Sequence, residues 1–372
     1  MPKKVPFNRS PYGWLALCVV FIGSFLSLRA GDWTIESVAG TGMAGFSGDG
    51  GSAKEAKIND PYGLVRGPDG ALWFCEHAGH RIRRIARDGT ISTIAGTGQA
   101  GFSGDGGSAR EAMLNLPHEL RFDAAGNLFI ADTANQVIRR IDLKTGIITT
   151  VAGQGGKRGY AGDGGAATDA LFNGPHSLQF NPSGDLFVCD VANHVVRRID
   201  ARTGIITTFA GTGKPGATPD GSPIAGTPLN NPRTLDFDHA GDLWLATREG
   251  NQVFRFDLKT GKIWLVAGNG QKGFTGNGGP AREATLSGPK GLALDRDGNV
   301  WLADTESHSV RMIDTRTGKL ELIAGAGVKG DGSDGNPLAC AFNRLHGIFA
   351  DTDGSVYIGD SEAHRIRVLK RK

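Results

Sequence analysis

Along most of the chain, apolar and polar residues alternate over short stretches, and glycine- or asparagine-bearing turns break the alternation at regular intervals. One stretch shows the unit: 118–123 (HELRFD) alternates, 124–127 (AAGN) is a tight turn, and 128–132 (LFIAD) is short and apolar. Next, 133–135 (TAN) turns again, 136–142 (QVIRRID) alternates, 143–146 (LKTG) turns, and 147–153 (IITTVAG) is β-branched. Alternation with period two predicts half-buried strands, and the punctuation predicts turns. The unit is therefore four short antiparallel strands.

The unit recurs. Pro61, Pro117, Pro175, Pro232, Pro289 and Leu345, each at the entry to a first strand, are spaced by 56, 58, 57, 57 and 56 residues. Residues 31–372 number 342, six units of 57, which leaves no room for a linker or a second domain. Four-stranded antiparallel units at this period predict an all-β fold, a six-bladed β-propeller. The ends supply a second argument. The stretch 33–40 (WTIESVAG) reads as a lone outer strand, and the last unit ends at a third-type strand, 364–370 (HRIRVLK). Pairing the two closes the ring and removes two exposed edges that would invite association.

The phrases at 123–135 (DAAGNLFIADTAN) and 137–142 (VIRRID) resemble the NHL-repeat family of six-bladed propellers, and the resemblance extends over nearly all of 31–372. It implies the fold and little about function, because one scaffold hosts many roles. Asp132, Asp190, Asp304 and Asp360 end the second strands. There they are expected to accept N–H groups of the following turn, with Asn135 and Asn193 taking the left-handed conformation. Glu76 and Thr247 depart from this pattern in the first and fourth blades. The arginine pairs 83/84, 139/140 and 197/198 lie on third strands and are expected to be solvated and locally paired, with Asp142 and Asp200 nearby.

The decapeptide AGFSGDGGSA stands at 44–53 and again at 100–109, with variants at 161–167, 273–281 and 330–339 and a divergent loop at 215–225. A phosphate loop would need Gly-Lys-Ser/Thr and a helix after it, and a dinucleotide fingerprint would need a βαβ unit. Neither follows. The expected role is architectural: glycine permits positive φ and close chain passage, aspartate caps the turn, and 109–114 forms a single helical turn.

Charge and cysteine content shift the picture at the N-terminus. Lys3, Lys4 and Arg9 precede an apolar run over 14–28, which reads as a signal peptide over 1–30 cut after Ala30, with a retained anchor as the alternative. The whole chain holds 41 basic and 38 acidic residues; removing Lys3, Lys4, Arg9 and Arg29 leaves 37 against 38, a net charge of −1. The expected product is secreted or periplasmic, a monomer, with no nucleic-acid partner and no membrane contact after cleavage. Cys75, Cys189 and Cys340 remain, an odd number that suits small buried apolar residues, with a Cys75–Cys340 bridge as the minor alternative.

Candidate chemistry gathers at one position. The residue that opens each innermost strand rings the channel mouth: Tyr62, His118, His176, Arg233, Lys290 and His346. All six are large and can hydrogen-bond. Three imidazoles plus water make a catalytic zinc geometry, so His118, His176 and His346 are candidate metal ligands and zinc the candidate cofactor. Tyr62 or Glu119 would serve as acid or base, and Arg233 and Lys290 would hold an anionic group. The phrase 175–178 (PHSL) resembles a metal-ligand segment of peptidyl-hydroxyglycine amidating lyases, and 61–64 (PYGL) and 72–77 (LWFCEH) resemble streptogramin lyase blades. These resemblances imply a metal-dependent lyase or hydrolase. The leading expectation is a binding scaffold that takes a protein or small-molecule ligand on the top face, where the long loops gather, and at the central channel mouth, with Tyr62, His118, His176, Arg233, Lys290 and His346 as the ligand-binding residues.

Overall fold

The computed structural model describes residues 1–3 and 30–372, so the export segment expected over 1–30 lies, apart from its ends, outside the described residues. The strands form six antiparallel sheets arranged as successive blades, four of them with their strands side by side in chain order and the fourth and last with one strand added from elsewhere in the chain. The second blade comprises Pro117–Phe122, Leu128–Asp132, Val137–Asp142 and Ile147–Ala152, the four strands expected. The fourth carries an additional short strand, Ser222–Pro223, on its outer edge.

The last blade closes the ring. Trp33–Ala39 pairs antiparallel with Arg365–Arg371, in a register that sets Trp33 opposite Arg371 and Ile35 opposite Leu369. Trp33 is 2% exposed and meets Trp301 edge-to-face at 5.2 Å, so the N-terminal strand packs against the fifth blade as well. The core follows the blades. Six apolar clusters each join two neighbouring sheets; one unites Leu64 and Phe74 of the first blade with Ile366 of the last. Cys75, Cys189 and Cys340 are buried and free, so the Cys75–Cys340 bridge is absent.

The glycine-rich loops are architectural, by a route the sequence did not show. Gly48 has φ +91°, and a Cβ there would sit 2.7 Å from that of Ala56. The aspartates, however, do not cap their turns. Asp105 pairs with Arg139 at 2.8 Å, Asp49 with Arg83 at 2.9 Å and Asp163 with Arg197 at 2.6 Å. The first arginine of each pair is thus fully buried and clasps the incoming loop, while the second, as with Arg198, reaches solvent. Aromatic side chains of the loops lie over the clasped guanidinium groups: Phe46 on Arg83, Phe102 on Arg139, Tyr160 on Arg197 and Phe274 on Arg311. Each loop also bridges to the outer strand of the next blade, as Ser108 does to Ile147, so it is tied down rather than free on the top face. The segment 109–114 makes a turn and no helix, although its counterparts Ala53–Glu55 and Ala281–Glu283 are 3-10 helices.

The second-strand aspartates also differ from expectation. Asp132 accepts 2.7 Å from the backbone N–H of Asn115, on the segment entering its blade, and 2.8 Å from the Asn135 side chain. Asp190 does the same with Asn173 and Asn193. The left-handed residue is the one after the asparagine, Gln136 or His194. Sequence spacing cannot find the first of these bonds, because its partner lies 17 residues back.

Candidate functional site

The six ring residues converge at the channel mouth, as counting along the repeat predicts. Each is the second residue of an innermost strand, one place later than expected because the preceding proline begins the strand, except that His346 directly precedes Gly347–Ala350. Close passage of the first two blades sets the geometry. Gly63 follows Tyr62, and a Cβ at Gly63 would lie 2.8 Å from the Glu119 Cα, so only glycine lets Tyr62 approach His118 this closely. The mouth is filled by side chains: Tyr62, His118, Arg233, Lys290 and His346 are between 4% and 8% exposed, and His176 is half-buried.

The aromatic rings form a continuous layer. Tyr62 stacks on His346 at 4.1 Å and meets His118 edge-on at 4.8 Å, and His118 meets His176 edge-on at 4.6 Å. A further ring belongs to the layer. His77 stacks on the other side of Tyr62 at 4.2 Å and lies edge-on to His118 at 5.7 Å. Reading one residue per blade missed it, because His77 belongs to a second ring, directly after the second strand. There Thr133 and Thr305 bond the carbonyls of Pro175 and Leu345 of the next blade, and Ser361 bonds that of Pro61. His77 makes the equivalent bond from Nδ1 to the Pro117 carbonyl at 3.3 Å.

The hydrogen bonds assign the protons. His176 Nδ1 lies 2.7 Å from the Gly174 carbonyl, and His346 Nδ1 lies 2.7 Å from that of Arg344. A carbonyl only accepts, so His77, His176 and His346 carry their proton on Nδ1. The Nε2 of His346 accepts from Tyr62 Oη at 3.1 Å and from Lys290 Nζ at 3.2 Å. His118 Nε2 accepts from Arg233 Nη2 at 2.7 Å. Burial, reinforced by the charge of Arg233, pushes His118 and His176 well below the usual imidazole value; burial and Lys290 do the same to His346. Burial brings His77 to about 4. The imidazole rings are uncharged at neutral pH, and the positive charge beside them comes from Arg233 and Lys290.

Burial also lowers Lys290 to about 8, although Glu306 at 2.9 Å holds it up. Glu306 in turn stays at about 2 against the pull of burial, because Lys290 and Arg344 both bind it. Glu119, the other candidate acid or base, is engaged by an arginine of its own strand. Its hydrogen bond comes from Arg121 Nη1 at 2.5 Å, and no histidine bonds to it, although burial raises it.

Two of the three candidate zinc ligands have their Nε2 atoms engaged by other side chains. The lone pairs of His118 and His346 are taken by cationic donors, which leaves only His176 of the three with a free Nε2. Among the described residues no group of three His, Cys, Asp or Glu side chains is placed to hold a metal ion. The arrangement can present N–H and O–H donors and one net cation to a ligand.

Comparison with known proteins places the architecture. A family model described as NHL repeat matches residues 286–311 and 342–369. The chain is 30% identical over 291 residues to Protein SUPPRESSOR OF QUENCHING 1, chloroplastic, of Arabidopsis thaliana, covering 75% of this chain and 27% of that protein. Across the curated relatives it matches first, the chain spans from 27% to 43% of their length. Among solved structures, an auxiliary nutrient binding protein from Bacteroides thetaiotaomicron superposes with a TM-score of 0.67 at 17% identity, over 91% of this chain and 76% of that one. A streptogramin B lyase superposes with a TM-score of 0.55 at 15% identity, over 93% of this chain and 100% of that one. At these identities the likeness to solved structures shows the fold alone.

Proposed function

Because the chain is a six-bladed β-propeller built of NHL repeats, we propose that it is an exported binding scaffold that takes its ligand at the mouth of the central channel. One observation carries this reading: the lone pairs of His118 and His346 face Arg233, Lys290 and Tyr62 instead of a shared point where a metal could sit. Cations bonded to imidazole nitrogens compete directly with a metal, because the metal needs the same lone pairs. A wall of neutral rings and buried donors suits reversible binding, in which few polar groups fix orientation and flat rings supply area.

The competing reading is a zinc lyase or hydrolase at the same mouth, and metal content separates the two. The purified protein, beside a His176→Ala variant, is expected to hold far less than one zinc per chain in both cases. Near-stoichiometric zinc in the wild type that is lost in the variant would replace the binding reading with the enzyme. Export rests on the basic and apolar N-terminal segment and is tested separately. Expressed in a secreting host, the mature protein is expected to begin at Gly31 by intact mass; a product retaining Lys3 and Lys4 would favour the anchor.

A further inference from the structure

Seven arginines are buried among the described residues: Arg83, Arg121, Arg139, Arg197, Arg233, Arg311 and Arg367. Six of them are paired with carboxylates: Arg83 with Glu76, Arg121 with Glu119, Arg139 with Asp105, Arg197 with Asp163, Arg311 with Asp304 and Arg367 with Asp360. Arg233 is not. It is 8% exposed, its hydrogen bond goes to the neutral His118, and its Nε has no partner. Burial without a counter-charge lowers it to about 10, still charged at neutral pH. A second cation, Lys290, is 4% exposed a short way round the ring, and its partner Glu306 is shared with Arg344. A buried charge is costly unless it is paired. The fold supplies a carboxylate to every other buried arginine and withholds one here, where the innermost strands of the blades converge.

We infer that Arg233 is the anchor of a carboxylate subsite: the ligand held at the channel mouth carries a carboxylate, which supplies the missing counter-charge. This rests on the binding reading above. A planar monoanion matches the site in charge and shape. A guanidinium offers a flat fork of donors to a carboxylate, and the excess at the mouth is close to one positive charge once Glu306 and Glu362 have answered Lys290 and Arg344. Tyr62 Oη, which burial keeps protonated, can turn its proton from His346 Nε2 to such a ligand, because Lys290 still donates to that nitrogen. The half-buried His77 and His176, whose Nε2 atoms have no partner among the described residues, lie edge-on to His118, which bonds the anchor, and would meet the rest of the molecule.

The carboxylate could belong to a free small acid or to the C-terminus of a peptide, and two probe pairs separate these sources. Calorimetric titration at constant ionic strength compares benzoate with benzamide, and a tripeptide acid with its C-terminal amide. Binding by an acid and not by its amide is expected, and the stronger acid names the source. In Arg233→Met the same acid is expected to bind about tenfold more weakly or worse, while the unliganded variant melts no lower than the wild type because an unpaired buried charge is gone. If Arg233→Met does not fold, Arg233→Lys keeps the charge and loses the fork; it is expected to weaken binding by about tenfold as well. Equal affinity of acid and amide, or affinity unchanged in both variants, overturns the inference. So does binding of neither acid below about 10 mM, a threshold near the weak end of specific recognition. A neutral probe that binds and perturbs His176 would overturn the carboxylate and leave the binding scaffold standing, whereas stoichiometric zinc would overturn the scaffold reading itself.

Discussion

His77 shows what a single side chain does at this mouth and why counting passed over it. The ring at the start of each innermost strand was legible because the proline before it marks the position. No such marker precedes the residue after the second strand, where threonine, serine, valine, arginine and histidine alternate round the molecule. The physical signal was there in another form: Thr133, Thr305 and Ser361 all donate to a carbonyl of the next blade, and imidazole Nδ1 can do the same. His77 also makes stability depend on pH. Its ring is held at about 4 when folded, below the usual 6.5 of the unfolded chain. Below about 6.5 the unfolded chain takes up a proton that the folded ring refuses, so the contribution is fully present above that value and is lost as pH falls toward 4. The gap corresponds to about 3 kcal/mol. Denaturant unfolding of wild type and His77→Gln is expected to show the wild type losing roughly this much more than the variant between pH 7.5 and pH 4. Parallel losses in the two proteins would contradict the assignment. The comparison with the variant matters because Asp132 and Glu76, which burial raises to about 7, shift in the opposite direction.

At the scale of the blade, the recurring element is a clasp made of a third-strand arginine, a second-strand carboxylate and a loop acid, which in the fifth blade is replaced by Asn277. The strand pattern was legible from period two, yet the burial of Arg139 was not. Alternation places Arg139 on one face with Val137 and Ile141, but a charged residue on a buried face is intelligible only when its partners are known. Those partners come from Asp132 on the adjacent strand and Asp105 in a loop 34 residues earlier. The fourth blade supports this account. It has Phe254 at the arginine position, Thr247 at the carboxylate position and the divergent loop 215–225, so the components change together. Phe254 is fully buried among Phe187, Leu229 and Leu235. Arg139→Met is expected to cost about 3–5 kcal/mol, because it leaves Asp132 buried without its cation. Arg139→Phe combined with Asp132→Thr, which copies the fourth blade, is expected to cost less than the sum of the two single changes by about 1–3 kcal/mol. Additive losses in a double-mutant cycle would mean that the two residues do not act as a unit.

At the scale of the whole molecule, six blades and the closing strand were legible in the sequence, since a constant period leaves few other architectures. Closure depends on Trp33–Ala39, whose Trp33 and Ile35 are at most 2% exposed. Deleting that strand would bare the edge of Arg365–Arg371 and open the cluster around Trp301. The shortened protein is expected to self-associate on size-exclusion chromatography and to lose a single cooperative melting transition; a monomer with an unchanged transition would show that closure is dispensable. The site was only half legible at this scale. The sequence brought His118, His176 and His346 to one mouth, but three histidines per ring say nothing about where their lone pairs point. That depends on Arg233 reaching His118 from two blades away and on Lys290 reaching His346 from the neighbouring one. The claim that this mouth binds a ligand through neutral imidazoles and buried cations, and does not hold zinc, is tested most directly by nitrogen NMR of the histidine rings before and after adding one equivalent of zinc. The account predicts neutral rings at pH 7 with the proton on Nδ1 for His77, His118, His176 and His346, and no change on adding metal. Metal-shifted Nε2 resonances on three of these rings would contradict it.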